Sequence, residues 1–217
     1  MASPDEAEKQ TIIENILAKE WEMFRNVNGS GHKASCQLDS DKFKRMRAGQ
    51  YMTWRKAHLE SWLTDLRDAL MLGRNLSAEK YIRMMEHTDL DGFAALAYGL
   101  PDIDAMTAGM INEIVAIHLR WREELDRNFP ALMGRARKLH QADVSTPGET
   151  AFETYLRAEL DTCSPKTIAI YYADILASEN EGGNEARENM LNQVREAGFE
   201  SLENANASLV WQGQHAE

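Results

Sequence analysis

Cysteine is scarce in this chain, and long hydrophobic runs are missing. Two of the 217 residues are cysteines, Cys36 and Cys163, which are too few for a disulfide framework and are expected to be reduced thiols. No stretch approaches the roughly 18 apolar residues that a membrane-spanning helix needs. Residues 1–8 include acidic side chains and lack the apolar region of a signal peptide. We therefore expect a cytoplasmic protein with no membrane partner.

Positive charge is also in short supply. The chain has 24 Lys and Arg residues against 35 Asp and Glu residues, which gives a formal net charge of -11. Such an excess repels the phosphates of nucleic acids, and no block of five or more basic residues offsets it. We therefore expect no nucleic-acid partner. The hydrophobic fraction of 43% is ample for one core, so we expect a single domain over residues 1–217.

Sequence motifs for nucleotides, hydrolases and metals are missing as well. Neither a glycine-rich phosphate loop nor a Gly-x-Ser-x-Gly nucleophile elbow occurs. None of the six histidines forms a His-x-x-x-His or Glu-x-x-His pair, the ligand spacing of metal-binding helices. We therefore expect no cofactor and no metal. A heme or a metal would need ligands from separate helices, with His118 or Cys36 among them.

Apolar residues recur at intervals near 3.6 residues in almost every segment, which predicts α-helices and no strands. The expected fold class is all-α, a single irregular domain of about eight to ten helices. Whether the second helix is interrupted at Ala48-Gly49 or at His58 remains open. The predicted helices cover residues 4–27, 40–73, 77–87, 91–100, 104–125, 130–140, 148–162, 164–180, 184–197 and 201–211. Their expected N-caps include Ser3, Asp39 and Ser40, Ser77, Asp104, Thr146 and Ser164.

Glu20 is the charged residue that most clearly contradicts the pattern of its helix. It follows Ile16 by four residues and Leu17 by three, and it precedes Phe24 by four, so it lies inside the apolar stripe. Burying an unpaired charge costs several kcal/mol, so such a carboxylate needs a partner or a function. Two interpretations remain open. Glu20 either pairs with an Arg at the edge of the stripe or lines a pocket, where a raised pKa would suit acid–base catalysis.

Three more polar residues interrupt apolar helix faces. His118 lies on the apolar face of the helix predicted over residues 104–125, either as a hydrogen-bonded core residue or as a group that transfers protons or binds substrate. Arg47 and Gln50 occupy similar positions in the second predicted helix. A partly buried Arg usually binds a carboxylate, which belongs either to the protein or to a ligand.

Two predicted helices carry dense stripes of charged side chains. Each stripe alone is typical of a solvated helix face, where Glu–Arg pairs contribute only about 0.2–0.5 kcal/mol. The alternative is that both stripes face one polar site. The first stripe consists of Glu79, Arg83 and Glu86, and the second consists of Glu149, Glu153 and Arg157, with Tyr155 and Glu159 beside it.

Several of these residues belong to segments that carry a family signature. The segments are EWEMF at 20–24, ASCQLD at 34–39, RNLSAEKY at 74–81 with RMME at 83–86, and FETYLRAEL at 152–160. They resemble an uncharacterised bacterial family, the domain of unknown function 4125, and the resemblance extends over nearly the whole chain, through residues 201–203. Some relatives are fused to a nucleotidyltransferase-like domain, which implies a cytoplasmic small-molecule setting and a partner of that kind.

The chain departs from the family pattern at three positions. Where the pattern has Gly, Tyr and Gln, this sequence has Ala158, Cys163 and His118. The resemblance therefore implies that His118 is a specificity position or a core residue, and not a catalytic group that the family shares.

The family segments coincide with the charged residues singled out above, so we expect their helices to converge on one site. Such a site would combine several carboxylates with Arg47, Arg83 and Arg157. It would bind a small zwitterion or polar acid through bidentate Arg contacts while a Glu moves a proton. In particular, we expect Glu20, Arg83 and Glu153 to line one cavity.

The leading hypothesis is thus a helical enzyme of small-molecule metabolism that acts on a polar or zwitterionic metabolite by carboxylate and Arg chemistry, without a redox cofactor. Two other hypotheses remain open. One is a non-catalytic interaction module that partners a nucleotidyltransferase-like protein, and the other is a heme- or metal-binding helical domain. The catalytic candidates are Glu20, Glu153 and His118, and the substrate-binding candidates are Arg47, Gln50, Glu79, Arg83, Glu86, Tyr155, Arg157 and Glu159.

Overall fold

A computed structural model of the chain describes residues 4–27, 39–134 and 136–215, and the regular structure there is helical throughout. This confirms the all-α fold class. Two short 3₁₀ turns, Ala97–Gly99 and Gln141–Asp143, separate some of the α-helices. The α-helices of the described residues are α1 Pro4–Arg25, α2 Ser40–Thr53, α3 Lys56–Met71, α4 Leu76–Met85, α5 Leu90–Leu96, α6 Ala105–Asn128, α7 Pro130–Met133, α8 Phe152–Leu160, α9 Pro165–Asn180, α10 Glu185–Glu196 and α11 Leu202–Gln214.

The described residues contain more helices than expected because the segment predicted as one helix over 40–73 is two. Neither Ala48-Gly49 nor His58 interrupts it. The chain leaves the helical conformation at Trp54, with ψ 146°, and at Arg55, with ψ 154°, before α3 begins. The break lets α2 pack against α1 and α10 while α3 packs against α1 and α9.

The caps show where the local predictions succeed. The side chains of Asp39, Asp104 and Ser164 each accept a backbone N–H of the following helix, as predicted. Ser77 does not cap α4. That role belongs to Asn75, whose side chain accepts from the Ala78 N–H at 3.0 Å.

Other helix ends differ from the predictions, and one predicted cap cannot be compared because Ser3 lies outside the described residues. The helix predicted over 130–140 ends at Met133. The helix predicted over 148–162 begins only at Phe152, without a cap at Thr146, because the chain turns at Gly148 with a φ of 82°.

The long helix α6 passes through two apolar clusters. Its residues Ile111 and Ile114 lie in the larger cluster, together with side chains of α1, α3, α8 and α9. Its residue Leu125 lies in the smaller cluster, with side chains of α7, α10 and α11. No helix of the described residues is long and apolar enough to cross a membrane. The cavity described below lies beside α6, where the two clusters meet.

Replacement of Ile114 by Ala should lower the free energy of unfolding by about 2–5 kcal/mol, because it leaves a hole in the larger apolar cluster. Ile114 has 0% of its surface exposed. Urea unfolding followed by circular dichroism measures this loss. Met106→Ala on the same helix is the control, and since Met106 is 77% exposed it should change stability by less than about 0.5 kcal/mol. Equal effects of the two substitutions would contradict this placement of α6.

Candidate active site

Four charged side chains from four helices alternate in sign, and we call them the charge chain: Glu20 on α1, Arg47 on α2, Glu159 on α8 and Lys80 on α4. Arg47 Nη2 lies 2.8 Å from Glu20 Oε1, and Arg47 Nη1 lies 2.8 Å from Glu159 Oε1. Lys80 Nζ lies 3.2 Å from Glu159 Oε2. All four side chains are at most 14% exposed, so two positive and two negative charges balance one another away from solvent.

Neutral side chains complete the hydrogen bonds around Glu20 and Arg47. Arg47 Nε donates to Glu20 Oε2 at 3.0 Å, which makes the ion pair bidentate. The Tyr51 hydroxyl donates to Glu20 and accepts from Arg47. Trp62 Nε1 donates to Glu20 at 3.2 Å, and Gln50 Oε1 accepts from Arg47 at 2.9 Å. The Glu20 carboxylate is therefore surrounded by donors of the protein itself.

Three members of the charge chain, Glu159, Arg47 and Lys80, stay ionised at neutral pH. Burial alone would raise the pKa of Glu159, but Arg47 and Lys80 outweigh burial and lower it to about 2. Burial likewise opposes the charge on Arg47, yet Glu159 and Glu20 raise its pKa well above the usual value. The pKa of Lys80 is raised by Tyr155 and Glu159 in spite of its burial. At neutral pH these groups therefore hold one another in place and do not exchange protons.

The structure pairs Glu20 with an Arg, which is the first of the two interpretations of this residue. Arg47, expected to bind a carboxylate of the protein or of a ligand, binds Glu20 and Glu159 of the protein. Gln50 belongs to the same network, since its Nε2 donates to Glu159 at 3.3 Å. The catalytic role of Glu20 and the substrate-binding roles of Arg47, Gln50 and Glu159 stay predictions.

Two predicted site residues form local ion pairs instead. Glu79 is buried, and its oxygens accept from Arg74 at 2.7 and 2.9 Å. Glu153 accepts from the Gln141 N–H at 2.6 Å and lies 3.0 Å from His140 Nδ1. Burial raises the pKa of Glu153, but these two partners outweigh burial and lower it, which favours the ionised form. Both carboxylates thus stabilise the ends of their own helices.

Three further predicted residues lie on the outer side of α4 and α8. Arg83 donates to the Pro101 carbonyl at 2.8 Å and lies 3.9 Å from Asp161. Glu86 and Arg157 line a small cleft of about 40 Å³ together with these two charged residues. No residue of the charge chain lines this cleft.

Glu20, Arg83 and Glu153, which were expected to line one cavity, lie in three separate hydrogen-bond networks. Glu20 belongs to the charge chain, and Arg83 contacts the loop before α6. Glu153 is at the start of α8 and bonds the 3₁₀ turn at Gln141–Asp143. The charged residues of the family segments therefore lie at several sites, and only some of them converge on one site.

A cavity of about 320 Å³ does open beside the charge chain, between α2, α6, α8, α9 and α10. We call it the central cavity. Its volume is within the usual range for a small-molecule site. Five predicted site residues line it: Arg47, Gln50, His118, Tyr155 and Glu159. Other lining residues are the apolar Leu125, Met133, Phe152, Leu156 and Met190 and the polar Arg122, Arg137, Tyr171, Glu185, Asn189 and Gln193.

Three polar side chains form a hydrogen-bonded line along the wall of the central cavity. His118 Nε2 lies 2.7 Å from the Tyr171 hydroxyl, which in turn donates to Glu185 Oε2 at 3.2 Å. Burial raises the pKa of Glu185 to about 8, because its hydrogen bond from Tyr171 compensates only in part. Burial also lowers the pKa of His118 to about 4, so its imidazole is neutral at pH 7. Glu185 is therefore a carboxyl that can both give and take a proton near neutral pH.

A second cavity, of about 280 Å³, is lined by five aspartates but by none of the predicted site residues. Several of its carboxylates already have structural tasks. Asp104 caps α6, and Asp65 accepts the Ser164 N–H at 2.9 Å. Asp161 lies opposite Arg83. The central cavity is therefore the better candidate for chemistry.

The heme- or metal-binding hypothesis named His118 and Cys36 as ligands. His118 is engaged with the Tyr171 hydroxyl, and Cys36 lies outside the described residues. In the part of the chain that the structure describes, no group of three His, Cys, Asp or Glu side chains is placed to hold a metal ion. The structure therefore adds no support to that hypothesis.

The sequence did not single out Glu185 or Tyr171. Glu185 follows the capping residue Asn184, and an acidic residue in the first turn of a helix is ordinary. Tyr171 lies between Ile168 and Ile175 on one helix face and is typical of a core position. Neither residue breaks a pattern, so periodicity alone offers no signal for them.

The fold and the site define an all-α protein with a cavity between its helices that both polar and apolar side chains line. The family model described as "Protein of unknown function (DUF4125)" matches residues 10–207. The chain therefore belongs to this family, as the resemblance predicted. Neither the curated proteins nor the solved structures gave a match.

Replacement of Glu20 by Gln should destabilise the protein by about 3–5 kcal/mol, because the amide leaves the buried Arg47 without its bidentate partner. Chemical unfolding at pH 7 measures the loss. Glu22→Gln, two residues away on the exposed side of α1, is the matched control and should change stability by less than about 0.5 kcal/mol. A loss below about 1 kcal/mol for Glu20→Gln would mean that the pair contributes no more than an exposed one.

Proposed function

We propose that this protein is an enzyme that binds a small polar metabolite in the central cavity and moves a proton on it with Glu185. The observation that carries the proposal is a largely buried carboxyl in a cavity wall, with Tyr171 as its hydrogen-bond partner among the described residues. A pKa of about 8 suits a general acid or base that works near neutral pH. A structural ion pair would lower the pKa of Glu185, whereas its pKa is raised. Ion pairing therefore does not explain the position of this carboxyl.

The other polar residues of the cavity have supporting roles in this proposal. His118 and Tyr171 orient the Glu185 carboxyl through their hydrogen bonds. The charge chain fixes Arg47 and Gln50 in the cavity wall. All five N–H donors of Arg47 bond to the protein, whereas the Gln50 amide keeps one N–H donor for a substrate. Glu185 thus replaces Glu20 as the carboxylate that transfers the proton, and the reaction needs no redox cofactor.

The second candidate function is a non-catalytic interaction module, with a nucleotidyltransferase-like protein as the proposed partner. One observation favours it. Helix α5 has no buried residue, and Leu90, Tyr98 and Met106 nearby are each at least 69% exposed. Large apolar side chains that are this exposed are expected where another protein binds. This surface does not explain a half-buried carboxyl with a raised pKa, so we favour the enzyme.

The pH dependence of the free energy of unfolding should reveal the raised pKa of Glu185. The unfolded carboxyl ionises near pH 4.5 and the folded one near pH 8, so between these values the folded state keeps a proton that the unfolded state has lost. Stability therefore falls as the pH rises through this window, by up to about 1.4 kcal/mol per pH unit. His58 and His118 have lowered pKa values of about 3 and 4, and they act with the opposite sign below pH 6.5.

Glu185→Gln should therefore flatten the fall in stability between pH 6.5 and 8 and make the protein more stable than the unmodified chain at pH 8. Urea unfolding at several pH values across this window provides the measurement. Glu196→Gln, at an exposed position of the same helix, should keep the original slope. Parallel stability curves for the two variants would show that Glu185 ionises like an exposed carboxyl.

Turnover provides the functional test. Metabolites are first screened by thermal shift against the unmodified protein and against Ala136→Trp, which fills the mouth of the central cavity. A metabolite that stabilises only the unmodified protein is then incubated with it in D₂O, and NMR measures the exchange of substrate protons for deuterium. Glu185→Gln should slow this exchange by about a hundredfold or more, in line with general acid–base catalysis, while metabolite binding persists.

Ala95→Trp, on the exposed side of α5, is the control for an added indole and should leave the thermal shifts unchanged. Metabolites that stabilise the unmodified protein and Ala136→Trp equally would contradict binding in the central cavity. Unchanged exchange in Glu185→Gln would contradict the proposed role of this carboxyl.

A further inference from the structure

We propose that the ligand of the central cavity carries an oxyanion, a carboxylate or a phosphate, which Arg122 and Arg137 bind. This inference rests on the proposed function, because it names the class of substrate for the same cavity. Its evidence is independent of Glu185, since it concerns two guanidinium groups that the charge chain does not contain.

Arg122 is a buried arginine whose donors are only partly used. Its side chain is 8% exposed, yet its hydrogen bonds among the described residues go to Asp126 at 3.3 Å and to the Arg137 carbonyl at 3.2 Å, and its guanidinium lies 5.4 Å from the centre of the Phe152 ring. A guanidinium has five N–H donors, and these contacts use two of them. Because the Asp126 side chain is 38% exposed, its ion pair with Arg122 is weak. Arg122 lines the central cavity, so its remaining N–H donors can bind a ligand there.

Arg137 adds a second positive charge to the lining of the same cavity. Its Nη1 donates to the carbonyl and the hydroxyl of Thr150, at 3.0 and 2.7 Å, and both acceptors are neutral. Its guanidinium lies 4.8 Å from the centre of the Tyr155 ring, which holds it over the cavity wall. Because the backbone of Arg137 accepts from Arg122, the two residues are adjacent.

The charge balance of the cavity favours an anion. Arg47 and Glu159 also line it, but within the charge chain their charges are balanced. Glu185 lines it too, and even when ionised it balances only one of the two remaining positive charges, while Asp126, which pairs with Arg122, does not line the cavity. Arg122 and Arg137 therefore give the lining an excess of positive charge in a protein whose formal net charge is -11. A local site of opposite sign to the whole molecule is expected where an anion binds.

Apolar side chains make up much of the remaining cavity lining. Leu125, Met133, Phe152 and Met190 line it beside the two arginines. These side chains fit the hydrocarbon body of an organic acid better than a free inorganic ion. The inferred ligand class is therefore a small organic acid with an apolar body next to its acidic group.

Three aromatic probes test whether the cavity prefers a ligand with an acidic group. They are 3-phenylpropionate, phenyl phosphate and the uncharged 3-phenylpropanol. Isothermal titration calorimetry measures the affinity of each for the full chain. At least one anion should bind about tenfold more tightly than the alcohol, and Arg137→Gln should remove most of this difference. Arg120→Gln is the control, because Arg120 is on the same long helix but pairs with Glu179 outside the cavity.

A preference for the carboxylate or for the phosphate identifies which oxyanion the arginines accept. Equal binding of the alcohol and the anions, equal losses in Arg137→Gln and Arg120→Gln, or no binding of any probe at millimolar concentration would each overturn the inference. Failure of the proposed function is distinguishable from these results. It would appear as an ordinary ionisation of Glu185 in a protein that still binds the anion through Arg137.

Discussion

The position of four helices depends on one buried guanidinium, that of Arg47. Removing such a charge from water costs several kcal/mol, and only well-placed carboxylates and hydrogen bonds offset this cost. Arg47 obtains them from Glu20 on α1 and Glu159 on α8, while Lys80 on α4 balances the second carboxylate. Because every partner comes from a different helix, none of the four can shift without leaving a charge unpaired. This constraint fixes α2 and α8, which form one wall of the central cavity.

An aromatic stack fixes the opposite wall. The ring centroids of Trp54 and His58 are 3.7 Å apart, and those of His58 and Tyr171 are 4.3 Å apart. Trp54 lies at the break between α2 and α3, His58 lies on α3 and Tyr171 lies on α9, so the stack connects these elements. His58 is buried and its pKa is lowered to about 3, so the stack is uncharged at neutral pH. The stack holds Tyr171 in position, and Tyr171 in turn orients Glu185.

The helical periodicity and the charges inside apolar stripes could be predicted from the sequence. The partners of those charges could not. Glu20 was singled out because it interrupts an apolar stripe. Lys80 obeys the same rule, since it lies four residues after Leu76 and four before Met84, both buried, and could have been found in the same way. That Glu20 and Lys80 belong to one network depends on the packing of four helices, which periodicity does not specify.

Glu185 could not be predicted, because its chemistry comes from burial and from Tyr171, 14 residues earlier in the chain. A carboxyl that stays protonated at neutral pH reduces stability relative to an amide of the same shape, which could accept the same hydrogen bond. Glu20, Glu79 and Glu159 each lie opposite an Arg in an ion pair, so these carboxylates have a structural role. The Glu185 charge has none in the described residues. A group that can titrate, lowers stability and lines a cavity is more consistent with selection for activity than with selection for stability.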